Sequence, residues 1–179
     1  GYETSIDIDF DSLLSAHPGA DGYVVLGTSA EAALMARAVR KRDSTSPILG
    51  PQSALDGDLM RIGGKDAEGV IVTGATDLID LNPARHRFSE EFQERFGRER
   101  TWASTLGWEA AAVSEVAWDA PDALEGRRRI LAQEPLSPLG VPLVFDRFGD
   151  VKRPIVVYTV RGGRLEPFLL PGYRSGEAR

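Results

Sequence analysis

The sequence predicts an α/β fold built as three layers, helices on both faces of a parallel sheet, and three observations carry that prediction. Short apolar runs (Tyr23-Val24-Val25-Leu26, Pro47-Ile48-Leu49, and Gly69 to Thr73) each stop at small residues: Gly27-Thr28-Ser29, Gly50-Pro51-Gln52 and Gly74. A helix-patterned stretch, Ala30 to Arg42, separates the first two runs. Finally, these runs do not alternate apolar with polar residues, which is the mark of strands buried on both faces. In such sheets ligands bind where the carboxyl ends of the strands open into loops. The loops Gly27–Ser29 and Gly50–Gln52 are therefore the first candidates for a site.

Taken in order, Thr4 to Ile8 alternates like a strand, and Phe10 to Ala16 reads as a short helix capped by Asp9. After the strand Gly22–Leu26, Ser29 is expected to cap the helix Ala30–Arg42. Ala33, Leu34, Ala36 and Val39 recur there at helical spacing, and Glu31 suits the first turn. Strand Pro47–Leu49, a weak helix from Ser53 to about Ile62, and strand Gly69–Thr73 follow. Pro83 stands near the start of a helix reaching Phe96, with Phe88, Phe92 and Phe96 on one face and Gly97 as the stop. Beyond it come helical segments Ser104–Trp118 and Pro121–Gln133. Strands Val141–Phe145, Ile155–Val160 and Arg164–Leu170 complete the pattern, the last two joined by a Gly162-Gly163 hairpin turn.

Composition narrows the function classes. The chain has 179 residues, 42% hydrophobic and 27% charged, which is ordinary globular usage. A net charge of -6 gives no basic footprint for nucleic acid. No apolar run approaches the ~20 residues of a membrane span. With no cysteine, disulfides and thiolate metal sites are excluded.

Motifs for covalent chemistry are missing. There is no Gly-x-Ser-x-Gly elbow, no phosphate loop ending in Gly-Lys-Ser/Thr, and no Gly-x-Gly-x-x-Gly fingerprint. His17 and His86 lack metal-ligand spacing and read as surface residues. Asp7, Asp9 and Asp11 lack the glycine and distal Glu of a calcium loop, so a solvated strand end is the expectation. Gly63-Gly64-Lys65 reads as a plain loop. No catalytic residue, metal or cofactor is assigned, and the chain is expected to bind rather than to react.

Several elements then occur in one order: Gly19-Ala20-Asp21, a strand, a small-residue loop and the helix Ala30–Arg42. Next come Ile48-Leu49-Gly50, Ala67-Glu68-Gly69-Val70, Phe88-x3-Phe92-x3-Phe96-Gly97 and Gly107-Trp108-Glu109-Ala110. Phe145-Asp146-x2-Gly149-Asp150, Val156-Val157-Tyr158 and Val160-x-Gly162-Gly163 close the series. The set, from Thr4 to Pro167, resembles the type I periplasmic binding proteins, specifically the branched-chain amino acid receptors of ABC importers. That resemblance implies Rossmann-like α/β/α lobes joined by hinge strands, with ligand closed between them. Because the family's chains are about twice as long, this one resembles their second half. Residues 1–100 would form the second lobe, and 101–153 would be helices and a turn of an incomplete first lobe. Residues 154–170 would return to the second lobe, and 171–179 would be a disordered tail.

By the same resemblance, Thr28 and Ser29 after the first strand, Gln52 after the second, and Trp108 at a helix start are the ligand-binding candidates. For Ser29, capping alone and capping with ligand contact both remain open. Trp108 either stacks on a ligand or fills a core. Gln52 stands near where amino-acid-binding members place an acidic residue for the ligand ammonium, and a neutral amide cannot give that charge-assisted contact. Thr28 stands where an aromatic often covers the ligand. A carboxylate, an amide or an aromatic acid is thus as good an expectation as an aliphatic amino acid. Asp77 and Asp80 are read as solvated loop residues, and Asp146–Asp150 as a structural turn.

The resemblance implies an extracytoplasmic solute-binding protein serving an ABC permease, touching the membrane only through a partner or a lipid anchor. A ligand-sensing module of a signalling receptor and a small flavodoxin-like enzyme are the alternatives. The helices bearing Trp108, Val113, Val116 and Leu131 need apolar surface to bury against, so a missing first lobe or a homodimer is expected to cover them.

Overall fold

The structure is a computed structural model that describes residues 8–75, 82–132, 136–153 and 155–168. Two compact units share the described chain: residues 8–74 with 157–168, and residues 75–156. Of the expected strand Thr4–Ile8 only Ile8 is described, and it lies in no strand; the loop residues Asp77 and Asp80 and the tail 171–179 lie outside the described residues.

In the first unit, α1 (Phe10–Ala16) begins where the Asp9 carboxylate accepts the Ser12 N–H at 3.0 Å. Strand β1 (Tyr23–Val24) leads through the Gly27 loop into α2 (Ser29–Arg42), and β2 (Ile48–Gly50) follows. The expected helix Ser53–Ile62 is instead a 3-10 turn, Gln52–Ala54, and then α3 (Gly57–Gly63) capped by Asp56. The capping Asp56 and the turn ahead of it split what sequence pattern alone joins. Gly63-Gly64-Lys65 is not a plain loop: it closes α3 and opens a second 3-10 turn, Gly64–Ala67. A side chain at Gly63 would meet the Ala67 Cβ at 2.8 Å and the Ala33 Cβ of α2 at 3.5 Å, so glycine permits that close approach.

After β3 (Ile71–Gly74), the chain leaves this unit and returns with β6 (Val156–Arg161) and β7 (Arg164–Pro167), numbered to leave β4 and β5 for the second unit. The sheet order is β1-β2-β3-β6-β7. β1, β2 and β3 run parallel, with Tyr23 opposite Ile48, Val24 opposite Leu49, and Leu49 opposite Ile71. β6 and β7 are an antiparallel hairpin, Arg161 opposite Arg164, turned at Gly162 and Gly163 with φ of +56° and +74°. Two successive positive φ values are what a two-residue turn matching strand twist demands.

The core of this unit joins Ile48, Val70, Val72, Tyr158 and Val160 of the sheet to Ala32, Ala33, Met35, Ala36 and Val39 of α2. Sheet positions of the opposite parity behave differently. Val24, Leu26 and Leu49 are exposed, so the expectation of cover on both faces fails at this corner.

The second unit opens with α4 (Pro83–Phe96), capped by Asn82, whose side chain also donates to Leu139 O at 2.9 Å. Then come α5 (Trp102–Ala117), α6 (Ala123–Ala132) and the antiparallel pair β4 (Val144–Phe145) and β5 (Val151–Lys152). Phe88, Phe92 and Phe96 stack along α4 as their spacing predicts, with ring centroids 5.8 and 4.6 Å apart. The Asp146 carboxylate accepts the N–H groups of Phe148 and Asp150, so Asp146–Asp150 is a structural turn.

Candidate functional site

Parallel strands end on one side of a sheet, and here β1 and β2 carry their loops to that side together. Ser53 Oγ donates to Gly27 O at 2.7 Å, which ties the loop after β2 to the loop after β1. Thr28, Ser29 and Gln52, three of the four candidates, are thereby held on adjoining loops. Trp108 belongs to the other unit.

Thr28, not Ser29, is the N-cap of α2. Its hydroxyl accepts the Glu31 N–H at 3.3 Å and donates to Glu31 Oε2 at 2.9 Å. The same carboxylate oxygen accepts the Thr28 N–H at 2.6 Å. This reciprocal capping box satisfies two N–H groups, at Thr28 and at Glu31. The bonds from the Thr28 backbone and then its hydroxyl hold the Glu31 carboxyl below its ordinary range. The sequence signal for the box was Thr28 three residues before Glu31; choosing Ser29 as cap shifted the helix start by one.

Two consequences bear on ligand binding. The Thr28 hydroxyl is already engaged, and Glu31 already places a negative charge at the α2 N-terminus, where a ligand carboxylate would otherwise be favoured. Ser29, the first residue of α2, is buried, while Thr28 is exposed. Gln52 begins the 3-10 turn and is half-buried. The adjoining loops therefore carry a hydroxyl, an amide and a helix start. Among the described residues no cluster of His, Cys, Asp or Glu is arranged to hold a metal ion.

In the second unit, Trp108 lies in the middle of α5 and not at the helix start expected for it, because Thr101 caps the helix about two turns earlier; it is about half exposed, with its ring 5.2 Å from Phe88. One face packs on the α4 aromatic ladder and the rest is accessible. Its neighbour Glu109 is buried, with Oε2 2.7 Å from Arg153 Nη1. That ion pair fixes α5 to the segment after β5, and its partner is far away in sequence. Between α5, α6 and the β4–β5 turn lies a groove of about 820 Å³, lined largely by Val113, Ala117, Ile130, Leu131, Phe145 and Phe148.

A mostly parallel sheet in one unit, helices in the other, two crossings of the chain between them, and polar loops at the strand ends define the class: the type I periplasmic binding fold. The chain belongs to the periplasmic binding protein family, whose pattern matches residues 8–128. Its fold is also that of a leucine binding protein, LivK, from Thermotoga maritima, at 25% identity and a TM-score of 0.73, covering 89% of this chain and 46% of that one. The substrate binding protein LivJ from Streptococcus pneumoniae, solved in complex with isoleucine, matches at 16% identity and a TM-score of 0.74, covering 88% and 47%. An extracellular ligand-binding receptor from Rhodopseudomonas palustris matches at 22% identity and a TM-score of 0.64, covering 93% and 52%. No curated protein sequence matches the chain. The chain thus spans about half the length of the solved structures it resembles. Those relatives are described as binding proteins and receptors, not enzymes. Among the described residues no helix is long and apolar enough to cross a membrane.

Proposed function

We propose that this chain is the ligand-holding part of an extracytoplasmic solute receptor that delivers a small amino-acid-like or carboxylate molecule to an ABC permease. The observation that carries the reading is the 2.7 Å bond from Ser53 to Gly27 O. It sets two polar loops side by side at the carboxyl ends of adjacent parallel strands, the position such sheets use for ligands. Family membership supports binding rather than catalysis, and the names of LivK and LivJ support a ligand of amino acid type.

In this reading Thr28, Ser29 and Gln52 hold the ligand at the strand-end loops of the first unit, and Trp108 is a further candidate contact. The expected lobe division, 1–100 with 154–170 and 101–153, is taken here with its boundaries moved to those of the compact units, residues 8–74 with 157–168 and residues 75–156. Closure is favoured by contacts made from both lobes, so ligand shifts an open–closed equilibrium by its differential affinity. Gln52 supplies a neutral amide, which favours a ligand amide or carboxylate over reliance on its ammonium group.

The test is calorimetric titration and thermal shift of the natural gene product with leucine, isoleucine, aliphatic carboxylates, amides and aromatic acids. The expected result is binding of at least one, weakened about tenfold or more by Gln52→Ala, the loss of about one charge-assisted hydrogen bond. Saturable binding that Gln52→Ala, Ser29→Ala and Trp108→Ala all leave unchanged would overturn the assignment.

A further inference from the structure

The ladder between β1 and β2 breaks off at a proline. Tyr23 N–H donates to Pro47 O at 2.9 Å and Val25 N–H to Leu49 O at 2.8 Å, alternate rungs of a parallel pair. In that alternation the next donor from the β2 side is the N–H of residue 51, directed at Val25 O. Residue 51 is proline and has no N–H, so that rung cannot form. Two residues on, Ser53 Oγ donates to Gly27 O at 2.7 Å. A side-chain hydroxyl thus resumes, one step past the missing rung, the series of β1-side acceptors.

Each end of this bond belongs to a locally fixed piece of chain. Gly27 precedes Thr28, the N-cap of α2, and a side chain at Gly27 would lie 2.6 Å from Glu31 Oε2, the oxygen that closes the capping box. Ser53 sits inside the 3-10 turn, which Ala54 N–H closes on Pro51 O and Leu55 N–H on Gln52 O, each at 2.9 Å. Ala54 and Leu55 anchor that turn, at 0% and 1% exposure, while Ser53 itself is exposed. One hydroxyl therefore joins the capped start of α2 to the turn that carries Gln52.

We propose that Ser53 is a positioning residue of the ligand site, acting through the Gly27 carbonyl and not by contact with the ligand. It sets the spacing between Gln52 and the start of α2. This inference rests on the ligand reading above and deepens it. With the bond made, the two loops form a prearranged half-site, and a ligand need not order them as it binds. With the bond lost, the turn and the helix start move as separate pieces, and the cost of ordering them is subtracted from affinity. Main-chain rungs would hold the loops without help from any side chain; the proline makes their spacing depend on one hydroxyl.

The test compares Ser53→Ala with Ser53→Thr, which keeps the hydroxyl, in the natural gene product. Amide hydrogen exchange without ligand reads the loops directly. Ser53→Ala should exchange about three- to tenfold faster at Val25, Thr28, Ala54 and Leu55, with the β6–β7 hairpin amides unchanged, and Ser53→Thr should stay within about twofold of the parent. Unchanged loop exchange in Ser53→Ala overturns the inference, and so does acceleration spread evenly over the first unit, which makes Ser53 a general stabiliser. Calorimetric titration with leucine, isoleucine and the carboxylates, amides and aromatic acids named above should show an affinity loss of about three- to tenfold for Ser53→Ala, restored by Ser53→Thr. Parent-like binding by Ser53→Ala where Gln52→Ala binds more weakly overturns this inference and leaves the ligand reading standing. Binding that Gln52→Ala, Ser29→Ala and Trp108→Ala all leave unchanged, or no binding of any of these compounds, removes the ligand reading and this inference with it.

Discussion

Replacing Arg153 by methionine should unfold the second unit far more readily than its place near the end of a short strand suggests. Glu109 is 2% exposed and its partner's side chain 15%, with the charged atoms 2.7 Å apart. At that distance, with an effective dielectric constant of about 20, the attraction is roughly 6 kcal/mol. Desolvating two ions costs several kcal/mol each, so the intact pair contributes little net stability. Removing only the arginine leaves the carboxylate buried and unpaired, a loss of ~3–5 kcal/mol. Glu109→Met with Arg153→Met removes both charges, and the pair should then cost much less than the sum of the single changes.

The assay is urea unfolding followed by tryptophan fluorescence. Trp102, Trp108 and Trp118, the only three tryptophans, all lie on α5 or at its end, so the signal reports the second unit alone. A double-mutant cycle with a coupling energy above ~1.5 kcal/mol supports the reasoning. An Arg153→Met cost below ~1 kcal/mol, typical of an exposed ion pair, refutes it.

Three further expectations concern the first unit. Thr28→Ala removes the hydroxyl half of the capping box but keeps the backbone N–H bond to Glu31, and should lower stability by ~1 kcal/mol, read by far-ultraviolet circular dichroism in urea, while Thr28→Ser keeps most of it. Gly63→Ala gains ~1 kcal/mol of helix propensity but forces a Cβ to 2.8 Å from Ala67, and overpacking of ~1–3 kcal/mol should dominate, lowering the thermal midpoint. Asp43 accepts from the Ser46 hydroxyl first, then from the Thr45 N–H and hydroxyl, which lower its pKa from 3.8 to about 2. A carboxyl with a depressed folded pKa contributes stability that is present above 3.8 and is lost as pH falls toward about 2. Asp43→Asn should flatten the fall of the thermal midpoint across that window; an unchanged slope would refute the assignment.

How much of this was legible in the sequence depends on whether the cause was local. The spans of α1 and α4 follow from Asp9, Pro83, the Phe88-Phe92-Phe96 spacing and Gly97, all signals within one helix, and the structure reproduces both. The Gly162-Gly163 hairpin is equally local. The Ser53–Ile62 reading failed because nothing in its apolar spacing announces that Asp56 caps a new helix after a 3-10 turn. Glu109 with Arg153 was invisible for another reason: 44 residues separate the partners, and no periodicity links them. The exposure of Val24, Leu26 and Leu49 was misjudged because an all-apolar strand says that both faces suit burial, not that cover is present.

The candidate loops show the same division at finer scale. Sequence position and the family resemblance led to Thr28, Ser29 and Gln52, but hydroxyl and amide groups are counted by type in a sequence and by partner in a structure. Thr28 gives its hydroxyl and its N–H to Glu31, and Ser53, which sequence reading passed over, is the residue that joins the loops. A ligand using the Thr28 hydroxyl must therefore replace a charge-assisted bond already made within the protein, so the net gain is a difference between two similar bonds. Ser29 and Ala30, at the first two positions of α2, have backbone N–H groups that take no part in the capping box, and those are the groups of this helix start a ligand oxygen could still use. On the proposed reading, selectivity should depend on how a ligand oxygen shares this helix start with the Glu31 carboxylate, so Glu31→Gln should change the relative affinities for anionic and amide ligands more than Thr28→Ala does, as read by calorimetric titration.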